Sequence, residues 1–227
     1  WLPFILGSCM CLAAFLVVAA ARRRHPAAPP DPAAARNAAP LLPAFRLMAR
    51  IALVVGWTAI GAYRYPLASL IHSMGMGPEV HGPITAGSYL ALSAGFFLLG
   101  RTRRWHYRAG FFWGCQVAAA ALVLAIPFSV GAGDLAAYVV AGTLALAILY
   151  VASQYYGVSQ ATDRARSMAT HEGLLSFGFA AGSMGGGALG EAVGARAVYP
   201  ALAALMAAAV AVQVAIYLRA RRLSRAA

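Results

Sequence analysis

This chain contains no lysine and very little acid. Its 18 basic residues are all arginine, set against six Asp and Glu in 227 residues. Charged residues make up 11% and hydrophobic residues 62%, with a mean hydropathy of +0.71. A soluble domain is usually about 45–50% apolar and about 25% charged. Too little charge is present to coat a water-facing surface, and a single soluble core cannot bury the apolar surplus. Cysteine is almost missing as well. Cys9, Cys11 and Cys115 all lie in apolar runs, without the His spacing of a metal site, and read as small buried hydrophobes. No Asp or Glu falls at the middle of an apolar run. The lack of lysine beside abundant alanine fits a GC-rich genome and need not reflect a choice of guanidinium geometry.

The arginines are placed unevenly. Sixteen of them fall in four stretches: Arg22–Arg24, Arg36, Arg46 and Arg50; Arg101, Arg103, Arg104 and Arg108; Arg164 and Arg166; and Arg219, Arg221, Arg222 and Arg225. Between these stretches lie hydrophobic runs long enough to cross a bilayer as helices, which takes about 20 residues. Helix is the default there, because lipid offers no partner to an unpaired backbone amide. The spacing predicts seven transmembrane helices, at 1–20, 51–73, 84–100, 109–130, 135–158, 173–190 and 197–218. Alternate loops hold the arginine, which is the positive-inside pattern, so the Arg-rich tail at 219–227 is expected in the cytoplasm. The positive charge sits in juxtamembrane loops with no folded basic face, which argues against nucleic acid and for attraction to anionic lipid.

The loops on the other side are short and carry Glu79, Asp134 and Glu191, with Arg196 the one basic exception. Gly75, Gly77, Pro78, Gly82 and Pro83 mark one tight connection there, and Gly131 to Asp134 another. The longest connection, at 21–50, is rich in Pro, Ala and Arg and reads as a semi-extended linker. It separates a lone helix at 1–20 from a six-helix bundle at 51–218. The first residue is Trp1, and the first apolar run lacks a basic start and is followed directly by Arg22–Arg24. That is the look of a stop-transfer boundary, so the chain is expected to be the C-terminal portion of a longer protein.

A lone helix, a long inside linker and six closely spaced helices resemble the second half of a major facilitator superfamily transporter. The resemblance covers the whole chain, from the family's sixth helix to its twelfth. It implies a missing N-terminal six-helix bundle as partner and a multi-pass location in a membrane, here the bacterial inner (plasma) membrane. Three local patterns add to it. Gly100-Arg-Thr-Arg-Arg104 occupies the loop where the family often carries a basic turn with an acidic residue, which this chain lacks. Thr162-Asp-Arg-Ala-Arg-Ser167, followed by His171-Glu172, looks like the family's connection between its tenth and eleventh helices. There Thr170 is expected to cap the next helix, and Asp163 and Glu172 to pair with arginines of the neighbouring loop. Arg101, Arg104, Asp163, Arg164 and Glu172 are thus candidates for an inside gate. The third pattern is Gly178, Gly182, Gly186 and Gly190, which recur every four residues and let helix backbones approach closely. A weaker match is Gly87, Ala91 and Gly95. The resemblance implies that both faces lie along the contact between the two bundles.

One basic residue lies deep in an expected span. Arg64 is 13 residues beyond Ile51, or roughly 20 Å along the helix at 1.5 Å per residue. A charge so placed costs about 2.5–3.5 kcal/mol on insertion scales and normally faces a cavity or a partner. Gly61, Arg64, Ala68 and His72 share a face, and Pro66 is expected to kink the helix nearby. The resemblance places Arg64, Trp57 and the helix at 135–158 around a central cavity. Tyr150 and Gln154 share a face of that helix, and Gln116 is another amide at membrane depth. The expected substrate-binding or gating set is therefore Arg64, Trp57, His72, Gln116, Tyr150 and Gln154. Aromatics and neutral donors suit a sugar, an amphipathic drug or an organic anion, and the lone arginine favours the anion.

The leading functional reading is a secondary transporter of a small solute, working by alternating access without a cofactor or metal. The alternatives are a non-transporting membrane scaffold, an inactive remnant, or a membrane-embedded enzyme. Against the enzyme, no Ser/His pair, His/Asp metal cluster or phosphotransferase-type Asp array converges at one depth.

Overall fold

In the computed structural model the chain divides into two units, Trp1–Ala33 and Ala34–Ala227. The structure describes residues 39–226 apart from 159, 160 and 162. The expected helix at 1–20 and most of the linker at 21–50 lie outside the described residues. What is described is 91% helical, with no strand.

Six long helices follow one another: α1 Leu42–Ser73, α2 His81–Arg101, α3 Ala109–Ala125, α4 Ala132–Val158, α5 Arg164–Val193 and α6 Ala195–Ala226. Helix α1 begins within the stretch expected as linker. Pro43 sits in its first turn, where its missing N–H is harmless, and Phe45 and Met48 are buried. The helix runs on through Pro66. It stops at Gly75, whose φ of 73° favours glycine and whose N–H donates to His72 O. At the start of α5 the cap is Asp163, whose carboxylate accepts from Arg166 N at 2.9 Å. Thr170, expected in that role, donates instead to Arg166 O inside the helix.

Five stretches are long and apolar enough to cross a membrane: Leu42–Arg64, Pro78–Arg101, Ala109–Phe128, Ala132–Val158 and Ala195–Arg225. They overlap five of the expected spans, the first of them shifted from 51–73 to Leu42–Arg64, which puts Arg64 at its end. Helix α5, with 30 residues, has the length but falls outside this set. Its glycines, serines, His171 and Glu172 dilute its apolar content.

The helix ends can be assigned by their contacts. Arg46 Nε donates to Tyr156 O at 2.8 Å, Tyr107 N–H to Tyr156 Oη at 2.9 Å, and Ser167 Oγ to Gly157 O at 2.6 Å. Phe45 and Trp113 both meet the Tyr217 ring, at 5.9 and 5.4 Å. These bonds gather the start of α1, the α2–α3 loop, the end of α4, the start of α5 and the end of α6 at one end of the bundle. The arginine stretches among the described residues therefore share that end.

Packing follows an exchange rule. Helix α1 lies most broadly on α5, and α4 most broadly on α2; next come α1 on α6 and α4 on α3. Swapping α1–α2–α3 for α4–α5–α6 leaves this pairing unchanged, while α1 and α4 run in opposite directions. Glycine makes both main contacts close. A Cβ at Gly178 would lie 2.6 Å from Val54 O, one at Gly186 would lie 2.5 Å from Ala62 Cα, and Gly182 faces the Thr58 backbone. On the mate helix, Gly87 meets a Val140 methyl and Gly95 meets Ala147 and Leu144. The close faces of both helices are thus used inside this unit. Gly190 stands apart from the stripe, since its nearest neighbour is a Val198 methyl at an ordinary 3.6 Å.

Candidate functional site

Where α1, α2, α4 and α5 meet, aromatic and polar side chains form a continuous line. Its first member is Arg64, which is half-buried on α1. The guanidinium carbon lies 4.5 Å from the centre of the Tyr89 ring and 5.5 Å from that of Phe179. Ring faces attract a desolvated cation. Arg64 forms no ion pair among the described residues. Phe179 of α5 touches Trp57 of α1 at 6.4 Å, and Trp57 touches Tyr150 of α4 at 6.2 Å. Tyr150 stacks on Phe96 of α2 at 4.6 Å and accepts a hydrogen bond from Gln154 Nε2 at 2.9 Å. Four of the six residues expected at the substrate site, Arg64, Trp57, Tyr150 and Gln154, are brought together.

The other two are elsewhere. Gln116 lies in the α3–α6 contact, where its amide and that of Gln213 bond reciprocally at 2.9 and 2.8 Å. Both are buried, and the pair satisfies donors and acceptors that burial would otherwise strand. Gln116 is thus a tie between helices and not a group presented to a solute. His72 is exposed in the last turn of α1, at the arginine-poor end. One helical turn beyond Arg64 that end has a cleft of about 340 Å³ lined by Pro66, Ala68, Ser69, Gly190, Glu191 and Ala195.

The sequence reading missed Tyr89, Phe96 and Phe179. A depth count holds a signal for one of them. Arg64 lies nine residues before the end of α1, and Tyr89 eight after the start of α2. Measured from the turn they share, the two stand level.

The arginine-rich end is held differently from the expected gate. Asp163 caps α5, and the Glu172 carboxylate faces His171 at 4.0 Å. Neither pairs with Arg101, Arg104 or Arg164 among the described residues. Arg101 instead lies over the Phe97 ring at 4.5 Å, while Arg104 and Arg164 are exposed. What closes this end is aromatic. Trp105 is buried and donates from Nε1 to Leu99 O at 2.9 Å. His106 stacks on Tyr155 at 4.0 Å, and Tyr107 packs against Phe45, Tyr155 and Tyr156. Tyr107 adopts a φ of 54°, a left-handed turn that aims its N–H at the Tyr156 hydroxyl. Among the described residues no cluster of His, Cys, Asp and Glu could hold a metal ion.

Comparison with protein-family models gives no match, and neither the curated proteins nor the solved structures provide a relative.

Proposed function

We propose that this chain is the C-terminal portion of a secondary active transporter of the major facilitator type, moving a small solute by alternating access. The observation that carries the reading is Arg64: a permanent charge at the end of the apolar stretch Leu42–Arg64 and nine residues inside its helix, in contact with two ring faces and with no ion pair among the described residues. Such a charge is expensive in lipid and calls for a counter-charge that comes and goes. An organic anion supplies one, and the neighbouring Trp57, Tyr150 and Gln154 offer ring surface and neutral hydrogen bonds for its body. The exchange rule of the helix packing agrees with this reading, since each half of such carriers is built from two inverted three-helix repeats. A second six-helix bundle would complete the cavity, and the arginine-rich end would face the cytoplasm of a bacterial inner membrane.

The test is uptake by cells carrying the complete carrier, screened with small organic anions and with neutral sugars for contrast. Arg64→Ala is expected to abolish anion flux while the protein inserts at its normal level. Full flux in that variant refutes a substrate or gating role for the charge. A scaffold would insert normally and move no solute in either form.

A further inference from the structure

His171 is the only polar side chain of α5 that is fully buried among the described residues, at 3% exposure. Its Nδ1 lies 3.0 Å from Ser153 Oγ on α4. Its Nε2 is buried with no hydrogen-bond partner, and the nearest charge is the Glu172 carboxylate at 4.0 Å. The Tyr150 ring closes one side, edge to face at 4.8 Å. A buried ring nitrogen left without a partner is costly. Among the described residues Trp113 Nε1 and Tyr199 Oη share that condition, but of the three only His171 can carry a cation, and it has a carboxylate at 4.0 Å.

A serine hydroxyl can donate or accept, whereas an ionised carboxylate only accepts. The neutral ring with its proton on Nε2 and Ser153 donating to Nδ1 fits both neighbours, and so does the imidazolium with Ser153 accepting; a neutral ring with its proton on Nδ1 leaves Nε2 bare toward Glu172. Burial draws the ring toward the neutral form and the Glu172 carboxylate draws it toward the cation, burial being the larger. The titratable groups facing the ring are Glu172 on its own helix and Tyr150 on α4. No charged side chain of α1 or α6 acts on it among the described residues. The Glu172 side chain is 57% exposed, so it is free to move toward the ring or away from it.

We infer that His171 and Glu172 form a proton-binding site. The imidazole takes one proton, and the cation so formed, with N–H on both ring nitrogens, draws the Glu172 carboxylate into an ion pair at the α4–α5 contact. On loss of that proton the pair opens and Glu172 returns to its exposed position. Through Tyr150 the ring touches the aromatic line that runs to Arg64, so proton occupancy and solute occupancy share a neighbour. The use of the site in coupling rests on the carrier reading; its chemistry does not.

Two measurements test it separately. In the full chain, labelled with ¹⁵N-histidine and held in lipid nanodiscs, the His171 signals are identified by their loss in His171→Asn, or in His171→Gln where that variant accumulates better. Both ring nitrogens should shift together in one titration whose midpoint moves to lower pH in Glu172→Gln. A ring that stays in one neutral tautomer throughout, or a midpoint unmoved by Glu172→Gln, overturns the site. In proteoliposomes holding the complete carrier, solute flux should move protons, and His171→Asn should abolish that proton movement while solute exchange continues. Proton movement unchanged in His171→Asn also overturns the inference. If the unaltered protein moves no solute, the carrier reading fails, and the nanodisc titration still decides whether a proton binds here.

Discussion

His106 shows how one side chain at the arginine-rich end ties stability to pH. It stacks on Tyr155 at 4.0 Å and meets Trp105 edge-on. Burial first, and then the Arg103 charge, hold its imidazole below the ordinary 6.5. The fold therefore prefers the neutral ring, whereas the unfolded chain takes a proton more readily. Stability from this stack is complete above pH 6.5 and is lost as pH falls through the lower folded value. Thermal unfolding followed across this range should show a fall on the acid side, and His106→Phe should flatten it. An unchanged slope in that variant would place the pH dependence elsewhere. The departure from the expected gate is also a residue-scale matter. Ion pairs were expected because Asp163 and Glu172 are the carboxylates near the arginines in sequence. Asp163 instead meets the orphan amides of the next helix turn, a nearer demand than a distant guanidinium.

At the scale of the helix, the four-residue glycine spacing of α5 could be read directly, but its partner could not. Gly-x-x-x-Gly specifies a smooth face and says nothing about which helix lies on it. The structure places α1 there, with Gly178, Gly182 and Gly186 against the backbones of Val54, Thr58 and Ala62. Even one methyl is too large. Gly186→Ala should destabilise by about 1–3 kcal/mol, the usual cost of overpacking. Gly185→Ala, one residue away in open space, should be close to neutral. Unfolding midpoints of the two variants in detergent decide this, and equal midpoints would show that the α1–α5 contact is looser than described. The Gln116–Gln213 pair was hidden for a related reason. Each amide is visible in its own span, yet the bond depends on α3 and α6 being neighbours, which no local pattern records.

For the whole molecule, five membrane-length apolar stretches and the gathering of arginine at one end were legible in the sequence, because hydropathy and charge act locally. The arrangement of the helices was not legible, because it rests on contacts between distant segments. The same limit explains why Arg64 could be singled out while Tyr89 and Phe179 could not. Cysteine labelling tests the arrangement. Cysteines placed at Arg103 and Arg222 should react with an impermeant reagent from one side of the membrane, and a cysteine at Gly131 from the other. Reaction of Arg103→Cys and Arg222→Cys from opposite sides would overturn the arrangement.

The exchange pairing has a consequence for how the protein is made. Helix α1 leaves the ribosome first among the six, yet its widest contact is with α5, whose first residue, Arg164, follows Ser73 by 91 positions. Until α5 arrives, the α1 backbone at Val54, Thr58 and Ala62 lacks the neighbour that closes over it, and Arg64 lacks Phe179. An unfinished α1 therefore has to be sheltered while nearly half of the described residues are still being translated, and nascent chains stalled between α4 and α5 should be the ones most readily captured by quality control.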